Sequence, residues 1–256
     1  MKKIISTILA ILLLSLPCWG SLLFTEGSSE YINILDAASL SALSPLSISF
    51  WFKDNGDTYG YPVTKFASGQ AEWVIYFNKN TTVLGFKVYD VSQSNAKIGR
   101  DDTNSAIWDG SEHHIVCVWD GGTTDAAIKI YTDGVQVDDT GIGTGTFLGI
   151  EDRTSPVQIG HNLGSANHYI DGYMWDARIY NLELGLTQAN NIYYSHGNDN
   201  IVGSAGWWRM DEKPAGQTAG AGDVVDLSGN GNTGDGTNTP VYAAEPVTII
   251  KPIQGD

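Results

Sequence analysis

Cysteine is nearly missing from this chain: there are two in 256 residues, Cys18 and Cys117. Basic residues are scarce as well, 14 Lys and Arg against 29 Asp and Glu, for a formal charge of −15. A surface of that sign repels phosphate backbones and anionic lipid, which excludes nucleic acid as a partner. Long apolar runs are also lacking. The one candidate, residues 4–16, is too short for a membrane span. With Lys2 and Lys3 before it and Pro17 and small residues after it, the run has the layout of a secretory signal peptide. Cleavage is expected after Gly20, so that residues 1–20 are the signal and the mature chain carries 12 basic against 29 acidic residues, a formal charge of −17. Only Cys117 would then remain, so the exported protein could form no internal disulfide and must be held by its core or by a metal. No internal repeat is visible.

What the sequence does have is alternation, in a composition (42% hydrophobic, 17% charged) that suits one sizeable core. In "SISFWFK", residues 47–53, Ile48, Phe50 and Phe52 share one face while Ser47, Ser49 and Lys53 take the other, which predicts a half-buried strand. Further strands are expected at residues 72–77, 83–90, 113–120, 128–134, 156–160 and 173–181. Turn sequences such as "DNGD", "WDGSE", "WDGGTTD" and "GIGTGT" lie among them. Asp133-Gly134 between two β-rich runs predicts a hairpin. Only residues 186–195, "LTQANNIYYS", look helical, with Thr187 as the N-cap. The fold class is therefore all-β: two antiparallel sheets packed face to face, with one short helix at 186–195. Residues 201–256 contain "GWWRMDE", the Asp-, Asn- and Gly-rich stretch "DLSGNGNTGDG" at 226–236, and the apolar pieces "PVYAA" and "VTII". This region is expected to pack on a sandwich formed by residues 21–200.

Seven motifs in order are familiar: "LLFTEGSSEYINI" as an opening strand pair, "LSISFWFK", "DGSEHHIVCVWDGG", "IKIYTDGVQVD", "VQIGHN", "IDGYMWDARIYNLELGLTQANNIY" and "WWRMDEKPAGQTAGAGDVVDLSGNGNTG". Together they resemble the laminin-G-like branch of the concanavalin A-like jelly rolls, over most of the mature chain. The resemblance implies a jelly-roll sandwich and makes a sugar the expected ligand. Two departures stand out. Glu112 replaces the tryptophan that many relatives carry before the His pair, and Trp175 replaces a carboxylate sometimes expected near a structural cation.

Some jelly rolls of this wider group cleave glycosidic bonds with two carboxylates. Acids serving one substrate from one strand should stand at i and i+2, and no two acidic residues here have that spacing. Adjacent pairs such as Asp101-Asp102 and Asp138-Asp139 would split across a sheet or sit in a turn. His113 and His114 lie in an apolar strand and read as satisfied core residues, and Cys117 reads as buried filler. No catalytic residue is assigned.

Sugar recognition calls for exposed rings with polar groups at the rim. Trp73 shares its face with Ile75 and Phe77 and belongs to the core. Better candidates sit in loops: Tyr59 and Tyr61 in "GDTYGYP", Trp108 in "AIWDGS", and His161, Asn162 and His168 around "NLGSAN". Trp207 and Trp208 should point in opposite directions. Asp223, Asp226, Asn230, Asn232 and Asp235 offer hard oxygens between glycines, so a structural calcium with Asp226 and Asn230 as ligands is expected, against the plainer reading of an Asx-rich turn. The expected function is an exported, non-catalytic binding module for carbohydrate or another extracellular surface component. A structural or adhesive module that contacts protein is the alternative, and a divergent glycosidase is the third reading. The residues themselves support an extracellular binding surface; the glycan comes from the resemblance.

Overall fold

The computed structural model describes residues 20–56, 59–164, 168–199 and 201–244. The signal segment before Gly20 and the "VTII" piece lie outside the described residues. In chain order the strands begin with β1 (Gly20–Phe24), β2 (Tyr31–Ile34), β3 (Leu46–Asp54), β4 (Tyr59–Gly60), β5 (Val63–Lys65) and β6 (Trp73–Asn78). Then come β7 (Val83–Asp90), β8 (Ala96–Asp102), β9 (Glu112–Trp119), β10 (Ile128–Thr132), β11 (Val135–Gln136) and β12 (Thr140–Thr144). The series closes with β13 (Val157–Ile159), β14 (Gly172–Tyr180), the helix α1 (Leu186–Ser195), β15 (Ser204–Trp208), β16 (Gly234–Thr237) and β17 (Val241–Ala244).

These strands form two antiparallel sheets, a jelly-roll sandwich. One runs β11-β10-β9-β3-β14-β1-β17, with β15 also on β14; the other runs β12-β8-β7-β6-β5-β13-β2-β16, with β4 on β6. The opening strands β1 and β2 do not pair with each other as the sequence suggests. They enter different sheets, because the short 3-10 turn Glu26–Ser28 between them carries the chain across the sandwich. Period-two alternation builds the core: Ile48, Phe50 and Phe52 of β3 face Trp73, Ile75 and Phe77 of β6 and Leu84, Phe86 and Val88 of β7 in one buried cluster. Burying each such side chain contributes about 1.5–3 kcal/mol.

Three expectations change. Strand β3 is buried on both faces from Leu46 to Phe52, because α1 and the chain before it cover its outer side. Ser47 there donates to Leu182 O at 2.7 Å and accepts from Leu184 N at 3.0 Å, while Ser49 Oγ lies 2.8 Å from His114 Nε2. The cap of α1 is Gly185 rather than Thr187: Gly185 N–H donates to Gln188 Oε1 at 3.1 Å, leaving Thr187 exposed inside the first turn. Finally, "GIGTGT" is not a turn but most of β12, an exposed edge strand that pairs with β8. Its glycines and threonines bury nothing, so alternation could not reveal it.

The hairpin at Asp133-Gly134 forms as expected. Both residues have positive φ, 52° and 77°, and Thr132 pairs directly with Val135, the backbone that a two-residue turn between twisted strands requires.

Candidate functional site

The outer face of the second sheet follows from the same alternation that fills the core. Trp73, Ile75 and Phe77 point inward from β6, so Val74 and Tyr76 point out. By the same rule β7 presents Gly85, Lys87 and Tyr89, and β8 presents Lys97, Gly99 and Asp101. Register lines them up: Tyr76 stands opposite Gly85, which stands opposite Asp101. Gly85 has no side chain, so the Tyr76 ring lies across it and its hydroxyl donates to Asp101 Oδ1; a Cβ at Gly85 would collide with both. The Lys87 ammonium sits 3.9 Å from the Tyr76 ring centroid, and Lys97 approaches the Tyr89 ring at 5.8 Å. Gly99 leaves room for Lys87, whose Cγ would be 2.6 Å from a Cβ there.

Walls rise around this floor. Tyr59 and Tyr61 meet edge to face, centroids 5.6 Å apart, and their hydroxyls share a hydrogen bond at 3.3 Å. His168 packs against both rings, at 4.5 and 6.0 Å. On the other side Phe66 stands edge-on to Tyr89 at 5.2 Å. Asn162, buried, accepts from Gly164 N–H at 2.6 Å and holds the turn that meets Phe66. The result is a cleft of about 320 Å³ bounded by Tyr59, Tyr61, Phe66, Tyr76 and Tyr89, with Val74, Lys87, Asn162 and Gly164 completing it.

Electrostatics keep Tyr61, Tyr76 and Tyr89 neutral. Burial, then the Asp101 bond, holds the Tyr76 hydroxyl far above the ordinary phenol range. Burial and the Tyr59 hydroxyl do the same to Tyr61, and burial pushes Tyr89 up to about 12. Burial lowers Lys87, partly offset by the Asp101 charge. The cleft therefore offers neutral hydroxyl donors, ring faces and one ammonium.

Of the residues singled out from sequence, the structure brings together Tyr59, Tyr61, Asn162 and His168. His161 lies beside them but buried, stacked on Tyr169 at 4.1 Å and near Tyr31 at 5.2 Å, with its carbonyl accepting from Thr64 Oγ1. Trp108 is elsewhere: it caps the core edge-on to Phe77 at 5.3 Å and Phe52 at 6.4 Å. Tyr76, Lys87 and Tyr89 were missed. Their mark was available, since the positions between the core residues of "EWVIYF" and "VLGFKVYD" are a valine, two tyrosines, a lysine and a glycine rather than an ordinary solvated face.

The loop at 226–236 folds back on the sandwich. Asp226 Oδ1 accepts from Trp207 N–H at 3.0 Å and Ser228 N–H at 2.9 Å, and Oδ2 from Ser228 Oγ and Asn232 N–H, each at 2.8 Å. Asn230 spends its amide on Ala205 O at 3.0 Å. Calcium takes six to eight oxygens, whereas four N–H and O–H donors already converge on Asp226. The donor set does not fit that ion. Nor, among the described residues, do three or more His, Cys, Asp or Glu come close enough to hold a metal. Of the neighbouring tryptophans, Trp208 is buried and donates to Asn232 O at 2.8 Å. Trp207 takes the other face, donating to Asp176 Oδ1 at 2.7 Å beneath the Arg178 guanidinium, 4.5 Å from its ring.

That second face is filled, not open. Trp51 stacks on Trp175 at 5.7 Å, on His196 at 5.0 Å and on Tyr193 at 5.8 Å, beneath α1. Where Asp176 interrupts the β3–β14 register with φ of 50°, Arg178 ties the bulge down, 2.9 Å from Asp176 and 2.7 Å from Asp199. His113 bridges Asp133 at 2.8 Å and Asp109 at 3.1 Å. Asp176, Asp199, Asp133 and Asp109 are thus each engaged by a neighbouring cation or imidazole.

One sheet roofed by a helix and the other presenting an aromatic cleft define a lectin-like jelly roll. Residues 26–190 match the laminin-G-type family of the concanavalin A-like lectin/glucanases superfamily, and the chain belongs to it. No curated protein matches the sequence. Among solved structures it is similar to a heptameric SAP-like pentraxin from Limulus polyphemus, with TM-score 0.59 and 14% identity over 88% of this chain and 94% of that one. A putative carbohydrate-binding protein from Bacteroides ovatus gives TM-score 0.61 and 14% identity; the match covers 90% of this chain but 60% of that longer one. The carbohydrate-binding module of a Ruminococcus gnavus sialidase, bound to α2,3-sialyllactose, gives 0.50 and 13% over 68% of this chain and 96% of that one. At such identities the likeness is one of fold.

Proposed function

We propose that this protein is an exported, non-catalytic carbohydrate-binding module that holds a sugar in the cleft on the outer face of its second sheet. The observation that carries the reading is that cleft: five aromatic rings line about 320 Å³, with hydroxyl, amide and ammonium groups among them. One face of a pyranose is a run of C–H bonds, which suits the negative face of an aromatic ring, and the sugar hydroxyls need the polar groups between the rings. Small-molecule sites have this makeup, largely apolar walls with a few placed polar groups. Hydrolysis would need two carboxylates facing the bond; none of the lining residues is a carboxylate, and Asp101 is engaged by Tyr76. Export rests on the signal-like layout of residues 1–20, and no helix among the described residues is long and apolar enough to cross a membrane.

A glycan array probed with the full chain and with Tyr61→Ala and Tyr89→Ala tests this. Binding to a defined set of sugars that both substitutions abolish is the expected result. No sugar bound, with self-association on a sizing column, would replace it with the adhesive reading, and release of reducing ends from polysaccharide would replace it with the hydrolytic one.

A further inference from the structure

The charge inside the cleft narrows the ligand. Lys87 is the one charged side chain among the residues that line it, in a chain whose formal charge is −15. Four of the described lysines elsewhere are matched with acids: Lys65 with Asp36, Lys79 with Asp54, Lys129 with Glu183 and Lys213 with Asp223. On this face they are not treated alike. Lys87 lies over the Tyr76 ring and Lys97 over the Tyr89 ring, and the nearby carboxylate, Asp101, is engaged by the Tyr76 hydroxyl. A ring face meets only part of what an ammonium with three donors can make. Resting on the sugar-binding reading above, we infer that the cleft takes a sugar bearing an anionic group, carboxylate or sulfate, which pairs with the Lys87 ammonium while the sugar ring lies against the tyrosines.

Three features agree with this occupant. The volume is at the small end for ligand sites, suited to one or two sugar rings and not to a long chain segment. The hydroxyls of Tyr61 and Tyr89 are held neutral by burial and so do not repel an anion. Burial disfavours the Lys87 charge by more than Asp101 offsets, and an anion beside it would relieve that cost.

The test is an array carrying neutral, carboxylated and sulfated oligosaccharides, followed by calorimetric titration of the full chain. The pairs compared are trigalacturonic acid with its methyl ester and a sulfated disaccharide with its desulfated partner. Binding should concentrate on charged sugars, and removal of the charge or Lys87→Gln should each weaken it by about tenfold or more. Raising the salt to about 1 M, where charges are screened beyond about 3 Å, should weaken it in the unaltered protein, a readout independent of how any variant folds. The arm that binds more tightly tells carboxylate from sulfate. Neutral and charged partners bound equally, or an unchanged affinity in Lys87→Gln, would overturn the anionic ligand and leave the sugar-binding reading standing. Absence of binding to every sugar on the array would overturn both.

Discussion

Lys65 and Glu72 form an ion pair inside the sandwich, Nζ to Oε1 3.1 Å, with both side chains sealed from solvent. The ammonium also contacts Asp36 at 2.6 Å and the carbonyls of Arg153 and Ser155 at 3.0 and 2.6 Å, so four oxygens surround it. Glu72 in turn accepts from the N–H groups of Ala42 and Arg153, and thereby pins two loops to the end of β5. Burial raises the Glu72 carboxyl, with Lys65 opposing.

Removing one member leaves the other buried and unmatched. Lys65→Met should therefore cost about 3–5 kcal/mol in urea unfolding. In the double variant with Glu72→Gln part of that loss should return, a coupling that a double-mutant cycle measures directly. Equal losses in the single and double variants would show that the pair is not what holds these loops.

His114 sets a second expectation. Burial, then the charges of Arg178 and His196, pushes it down to about 3 from an ordinary value of about 6.5. The folded protein thus refuses a proton that the unfolded chain accepts. Its contribution is full above about pH 6.5 and declines as the pH falls toward about 3, by up to about 1.4 kcal/mol per pH unit. His114→Gln should flatten that acid slope in urea melts compared at pH 7 and pH 4. A slope identical to that of the unaltered protein would assign acid sensitivity to other groups.

Gly85→Ala tests the floor of the cleft. The added methyl would collide with the Tyr76 ring, so Tyr76 must leave its bond to Asp101. Overpacking of this kind costs about 1–3 kcal/mol. The larger effect should fall on sugar binding, lost while the melting transition stays cooperative. Intact binding in that variant would place the ligand elsewhere.

At the far loop, Asp226→Ala removes the acceptor for four donors and should destabilise the protein by about 1–3 kcal/mol. Because those bonds need no metal, scanning calorimetry should give the same melting temperature with excess chelator as with calcium. A drop with chelator would restore a calcium site to this region.

How much of this was legible in the sequence depended on the distance over which each feature is decided. Alternation in β3, β6, β7, β9 and β14 is local, and it identified the strands and the inward rings; the Asp133-Gly134 turn is more local still. Burial of Ser47 and Trp51 is not local, because residues 182–196 provide their cover. Strand β12 carries no apolar stripe and exists only through its pairing with β8. The cleft lay between these cases. Its rim residues Tyr61, Asn162 and His168 stand in loops and Tyr59 in the two-residue strand β4, where a ring or an amide draws notice. Tyr76, Lys87 and Tyr89 were concealed by their own regularity, since they occupy the alternate positions that a strand ordinarily gives to solvent.

The two outward glycines of the second sheet also bear on how such a surface could diversify. At Gly85 any side chain evicts Tyr76, and at Gly99 any side chain crowds Lys87. The base of the cleft is consequently locked against stepwise change, since no single replacement there yields an intermediate of useful shape. New selectivity would have to arise in the segments around Tyr59, Tyr61 and Asn162, which can be lengthened or re-lettered while the platform beneath them is inherited whole.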